Sequence, residues 1–336
     1  MTDRQNASND FIASAGWQDA QRQTVAGDAS NRRYDRLTKS NGDTIILMDA
    51  PREKGEDVRP FVQIANHLRA IGLSAPEILA ADTERGFLLI EDLGDDLFAR
   101  VLQQDASLER PLYTAAVDVL THLHGAPCLD LKPYDADVMT EMAALAYVWY
   151  ARENTPETTA RFTAAFHNLV APLDQAARVL IQRDYHAENL LWLPSRSDVA
   201  RVGLLDFQDA MSGHPAYDLV SVLQDARRDV SANIETEMKA HYVAQNGLDA
   251  DDFERAYAIL GLQRNLRILG VFARLCMRDG KAHYVDLIPR VWGHIQTNLR
   301  HPALTGIATI INTDLPPPTP VFLEHLKSQC ATLPHP

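Results

Sequence analysis

Cysteine is scarce in this sequence: 336 residues contain three, Cys128, Cys276 and Cys330, widely spaced and with no Cys-x-x-Cys pair. That excludes a disulfide framework and a cysteine zinc site, and it fits a reducing cytoplasm. Also absent is any run of about 18 apolar residues, the length a helix needs to cross a bilayer. The polar leader 1–16 has no basic stretch followed by an apolar core, so it is not a secretory signal. A soluble cytoplasmic protein without a membrane partner is expected. Positive charge is in deficit, with 32 Lys and Arg against 45 Asp and Glu and a formal net charge of -13. A nucleic-acid backbone needs a basic face, so nucleic acid is excluded as the main partner.

What is present is enough apolar material, 46% of residues, to bury a substantial core. After a leader expected to be flexible, strand-like segments occur at 22–26, 34–38 and 44–48. Asn41-Gly42 lies between the second and third, and this pair accepts the positive φ of a tight hairpin turn. From Val58 to Ile71 the apolar residues Val58, Phe61, Ile64, Ala65, Leu68 and Ile71 recur at three and four, which predicts an amphipathic helix ended by Gly72. Strands at 76–82 and 86–94 complete a small antiparallel lobe, residues 1–94. Beyond Asp95 the period changes to long helices over 112–123, 138–151, 157–169 and 253–275, so residues 95–336 are expected to form a helical lobe. The tail from Leu315, with Pro316, Pro317, Pro318 and Pro320, reads as an irregular surface segment.

The strongest local pattern lies at 179–193, where apolar runs flank Asp184, His186, Glu188 and Asn189. A second apolar run, 202–207, contains Asp206 near its end. Phosphoryl transfer asks little covalent chemistry of a protein. It needs an acceptor for the attacking hydroxyl's proton and hard oxygen ligands that hold magnesium on the phosphates. Asp184, Asn189 and Asp206 offer that set.

Here the chain resembles the aminoglycoside phosphotransferase and choline kinase superfamily, in which an Asp-x-His-x-x-Asn loop is followed by an apolar strand ending in a metal-binding Asp. The matching residues run Asp184-Tyr185-His186-Ala187-Glu188-Asn189, then Leu204-Leu205-Asp206-Phe207. Gly213, Pro215, Asp218 and Leu219 match a further segment of these kinases. The resemblance implies an α+β, bilobal protein-kinase-like fold, with a β-rich N-lobe and a mainly helical C-lobe. It implies ATP and Mg2+ as cofactors, Asp184 as catalytic base, and Asn189 and Asp206 as metal ligands. His186 is assigned to loop packing, and Asp218 to anchoring the catalytic loop. The loop 27–37 corresponds to the nucleotide-covering loop, with Ser30 and Asn31 in reach of phosphates, and Glu91 and Leu93 fall at the adenine-binding hinge. One departure stands out. The lysine that relatives carry on the third strand is missing, Met48 or a neighbour standing there, and the following helix offers Gln63, Asn66 and His67 where a glutamate is expected. Lys54, Arg33 and Arg36 are candidate replacements, and an inactive pseudokinase is the alternative.

Further segments, at 27–36, 48–62 and 263–292, look like bacterial cell-wall-recycling kinases that phosphorylate the anomeric hydroxyl of N-acetylmuramate and N-acetylglucosamine. An amino sugar is therefore the expected small-molecule partner, with an aminoglycoside or a choline-like amine as alternatives. Arg264, Arg267, Arg274 and Arg278 follow one another at three, seven and four, so much of the set can share a helix face. They either reach an anionic group such as a lactyl carboxylate or pair with internal acids such as Asp218 or Asp225. Glu141 and Trp149 are candidates for the sugar platform, an aromatic face being able to pack on a pyranose ring.

Overall fold

The computed structural model describes residues 3–27 and 31–333. The chain divides into two compact units, residues 1–119 with 187–210 and residues 120–186 with 211–336. The boundary expected near Glu91 to Asp95 lies within the first.

The first unit opens with a helix, α1 (Asp3–Ser14), where a flexible leader was expected. Its polar sequence has no helical apolar period, yet the adjacent Phe11 and Ile12 are buried against Leu37, Ile45, Leu47, Phe87 and Leu89. Arg4 reinforces the packing, its guanidinium donating to Asp49 and stacking 4.1 Å over the Phe87 ring. Tertiary burial, not propensity, holds this helix. Strands β1 (Gln21–Gly27), β2 (Arg33–Thr38) and β3 (Thr44–Asp49) follow, then α2 (Arg59–Ala70), β4 (Ile78–Asp82) and β5 (Phe87–Glu91). They form one antiparallel sheet in the order β1-β2-β3-β5-β4. The predicted hairpin turn is present: Gly42 has φ 92° and the Lys39 N–H bonds the Asp43 carbonyl across it. On α2 the buried residues are Phe61, Ile64, Ala65 and Leu68, the stripe that the period predicts.

Helices α3 (Phe98–Gln104) and α4 (Glu109–Gly125) come next, and within α4 the chain passes into the second unit. There α5 (Ala136–Leu145) ends in a π-helical turn at 146–150 and is followed by α6 (Pro156–Val170). Strand β6 (Val179–Ile181) leads to the polar loop, β7 (Leu190–Trp192) and β8 (Val202–Leu204) form a hairpin in the first unit, and β9 (Met211–Gly213) returns to pair with β6. The remainder is helical: α7 (Ala216–Leu223), α8 (Ala232–Asn246), the long α9 (Ala250–Met277), α10 (Ile288–Asn298), α11 (Thr305–Asp314) and α12 (Pro320–Ser328).

The helix α12 departs from the irregular tail expected from the prolines. Pro320 occupies the first turn, where its missing N–H costs nothing, and the Thr319 hydroxyl caps the Phe322 N–H at 3.2 Å. At the centre of the second unit, α5 and α9 run side by side in the same direction. The Gln263 amide donates to the Met139 carbonyl, and seven residues further on Gly270 packs directly on Leu145. Among the described residues no helix is long and apolar enough to cross a membrane.

Candidate active site

In the second unit the loop after β6 is held from below by α7. Asp218, in the first turn of α7 and fully buried, accepts hydrogen bonds from the backbone N–H groups of Gln182 (2.6 Å) and Arg183 (2.9 Å). Burial pushes its carboxyl up to about 7 against the opposing pull of those two N–H groups and Arg264. Arg183 adopts a left-handed φ of 73°, and its carbonyl accepts from the Ser221 hydroxyl at 3.3 Å. This turn delivers Asp184. The Asp184 side chain is 30% exposed, with Arg267 Nη1 3.8 Å from its Oδ1. Burial opposes its ionisation, but Arg267 and then Arg264 more than offset that, so the carboxyl lies below its ordinary value.

His186 is buried and accepts at Nε2 from Arg227 at 3.1 Å, since a guanidinium can only donate; the ring is therefore neutral with its proton on Nδ1. Burial pushes its pKa down to about 4. Arg264 is 2% exposed, and its Nε and Nη1 lack a hydrogen-bond partner. Both arginines come from α9. Arg278, from the same series, pairs with Asp279 at 2.7 Å.

The first unit carries the other polar groups. The Leu205 N–H bonds the Asn189 carbonyl (3.0 Å) beside the β7–β8 hairpin, which brings Asn189 and Asp206 together. Asn189 Nδ2 is 3.4 Å from Asp206 Oδ2, and Gln208 Nε2 donates to Asp206 Oδ1 at 2.7 Å. Asp206 has φ 56°, uncommon for a residue other than glycine. The following Phe207 is fully buried against Phe61 of α2, ring centroids 4.8 Å apart, which fixes this turn. One carboxylate and one amide oxygen are hard donors of the kind that would hold magnesium.

The other expected residues are spread more widely. Ser30 lies outside the described residues. Asn31 is exposed, its N–H donating to Glu56 (3.1 Å) and its Nδ2 to the Lys54 carbonyl (3.2 Å). Glu91 ends β5 with its carboxylate engaged by Arg196 and Arg69, and Leu93 is half-buried nearby. Glu141 is exposed on α5. Trp149 is half-buried on the π-helical turn and lines a cavity of about 370 Å³ with Tyr150, Asn154 and Phe322, among other residues. Asp184, Arg264 and Arg267 are not part of that lining.

On β3, Met48 is fully buried and Asp49 pairs with Arg4. Of the candidate cations, Arg33 pairs with Asp35, Arg36 with Asp92 and Asp95, and Lys54 is exposed. Arg32, not among those candidates, forms a 2.8 Å ion pair with Glu56, both side chains 11% exposed. Burial opposes its charge, while Tyr34, Glu56 and Asp209 favour it and hold its pKa above the ordinary value. The adjacent arginines of 32–33 are alike in sequence, and only tertiary packing separates them.

This architecture, a five-stranded antiparallel sheet followed by a mainly helical region with an Asp-x-His-x-x-Asn loop, defines a phosphotransferase. The chain belongs to the phosphotransferase enzyme family (APH), which it matches over residues 21–258. It is 38% identical to the N-acetylmuramate/N-acetylglucosamine kinase of Caulobacter vibrioides, over 91% of this chain and 95% of that protein. Identity to the N-acetylmuramate/N-acetylglucosamine kinase of Pseudomonas aeruginosa is 35%, over 85% and 86% respectively. Choline kinase LicA from Streptococcus pneumoniae shares the fold, with a TM-score of 0.62 at 15% identity over 88% of this chain and 100% of that one.

Proposed function

We propose that this protein is an ATP- and magnesium-dependent kinase that phosphorylates the anomeric hydroxyl of N-acetylmuramate and N-acetylglucosamine in the cytoplasm. The observation that carries the acceptor is near-full-length identity of 38% to a kinase named for those two sugars. Asp184 receives the hydroxyl proton as oxygen attacks the γ-phosphorus, and ADP leaves with the electrons of the broken P–O bond. Its depressed pKa supports a base that is ionised at neutral pH, and a hemiacetal hydroxyl is acidic enough for so weak a base. Asn189 and Asp206 would hold magnesium, which when bound neutralises the β- and γ-phosphates. Arg32, braced by Glu56, is the cation assigned to the nucleotide phosphates in place of the missing lysine. Its support is a largely buried ion pair, 11% exposed on each side, within electrostatic reach of Asp209, three residues after Asp206.

The test is coupled ATP consumption with N-acetylmuramate, N-acetylglucosamine, choline and kanamycin, using wild-type protein and Asp184→Asn. Turnover of the two N-acetylated sugars that is lost in Asp184→Asn is the expected result. Turnover of choline or kanamycin in preference would overturn the acceptor, and an inability to bind magnesium-ATP would make the protein a pseudokinase.

A further inference from the structure

Arg267 was a candidate for binding a substrate carboxylate, but its surroundings point to a different role. Its guanidinium faces the Asp184 carboxylate at 3.8 Å. That is close enough for strong attraction and too long for a hydrogen bond, so Arg267 itself occupies no lone pair of Oδ1. It is set among buried polar side chains. Tyr217 and Tyr134 are among the groups that favour its charge, and their hydroxyls lie 3.3 Å apart. Tyr134 bonds the Gln263 side chain (3.2 and 2.9 Å), and Gln263 reaches the Met139 carbonyl at 3.0 Å. Tyr134, Tyr217 and Gln263 are at most 2% exposed, so the chain of contacts ties α5, α7 and α9 together beneath one carboxylate. A network this buried fixes the geometry of what it supports. The charged groups around Asp184 are Arg267 and Arg264 from α9, Arg183 and His186 from its own loop, and Asp218 from α7.

We infer that Arg267 is a positioning residue for the phosphoryl transfer: it holds the Asp184 carboxylate in the orientation that receives the acceptor's proton, and does not bind the substrate's own carboxylate. The inference rests on the proposed role of Asp184. As the acceptor oxygen forms its bond to the γ-phosphorus and the bond to the β,γ-bridging oxygen breaks, the hydroxyl proton passes to Asp184. ADP takes the electron pair of the broken bond. Arg267 keeps the receiving oxygen in line and takes no proton.

The two roles for this arginine separate kinetically. N-acetylmuramate carries a lactyl carboxylate and N-acetylglucosamine does not. With Arg267→Met, a positioning role lowers kcat about 10- to 100-fold for both sugars alike and leaves both KM values within about twofold. Arg267→Lys, which keeps the charge but not the fork, should recover part of that kcat. A substrate-binding role instead raises KM for N-acetylmuramate alone, and that result would overturn the inference. So would an Arg267→Met enzyme with unchanged kcat. Thermal melts of both variants identify loss of fold, in which case Arg267→Lys decides by the same split. ATP hydrolysis without an acceptor is measured in parallel. If wild-type protein turns over neither sugar, the acceptor reading has failed, and the comparison is made on hydrolysis: an Asp184-dependent rate that drops in Arg267→Met supports the inference, and an equal rate overturns it.

Discussion

Gly270 tests the packing that carries Arg267. It lies on α9 where that helix crosses Leu145 of α5, and a Cβ added there would fall against the Leu145 main-chain carbonyl and 2.6 Å from Leu145 Cβ. A flexible side chain could turn aside, but a backbone carbonyl moves only with its helix. Two effects of Gly270→Ala oppose each other. Alanine improves helix propensity by about 1 kcal/mol. Overpacking costs about 1–3 kcal/mol, here at the upper end because backbone must shift. The net loss is about 2 kcal/mol, which for a unit of this size lowers Tm by about 4–8 °C. Gly293, exposed in α10 with nothing within 4 Å of a built Cβ, is the matched control: Gly293→Ala gains propensity without a clash and should raise Tm slightly. Calorimetry or far-UV circular dichroism of both variants gives the answer, and a Gly270→Ala protein as stable as Gly293→Ala refutes the close-crossing argument.

Asp184 is ionised until pH falls through its depressed pKa, so its contribution to kcat/KM is flat from neutral into mildly acidic pH and falls only below that; an acid limb near neutrality that persists in Asp218→Asn contradicts this. Asp218 has the opposite sign: with its folded pKa raised to about 7, the native state binds the proton more tightly than the unfolded chain, so its effect is to increase stability as pH drops from about 7 toward the ordinary carboxylate value. Wild-type protein should show this slope relative to Asp218→Asn, in melts across that range. Asp206→Asn should raise the magnesium concentration for half-maximal activity more than tenfold and cut kcat, with Asn189→Ala milder because it removes a neutral ligand. Arg32→Met should raise KM for ATP about tenfold while KM for the sugar stays put, and equal KM values for ATP in the two enzymes would remove Arg32 from the phosphate site.

What could be read from sequence followed from how local each signal is. The five strands, the Asn41-Gly42 turn and the stripe of α2 depend on residues a few positions apart, and the structure reproduces each one. Asp184, Asn189 and Asp206 likewise belong to two short stretches. By contrast, α1 has two adjacent apolar residues and no period, so its burial could not be foreseen from pattern. The helix α12 was hidden by its prolines, which suit a first helical turn as well as an irregular tail. Arg32 is indistinguishable from Arg33 until Glu56 and Asp35 choose between them.

The pairing of Arg267 with Asp184 shows why a motif alone underdetermines a site. Arginine spacing on α9 revealed a shared face but not what that face meets, because the partner is distant in sequence. The answer depends on α5, α7 and α9 converging on Tyr134, Tyr217 and Gln263. A short loop can supply a carboxylate and a metal ligand, but it has too few contacts to hold either against rotation. In this protein the orientation comes from below, through Asp218 gripping the Gln182 and Arg183 amides, and from the side, through Arg267. Substituting either support while leaving Asp184 in place should therefore slow the chemical step more than it weakens binding.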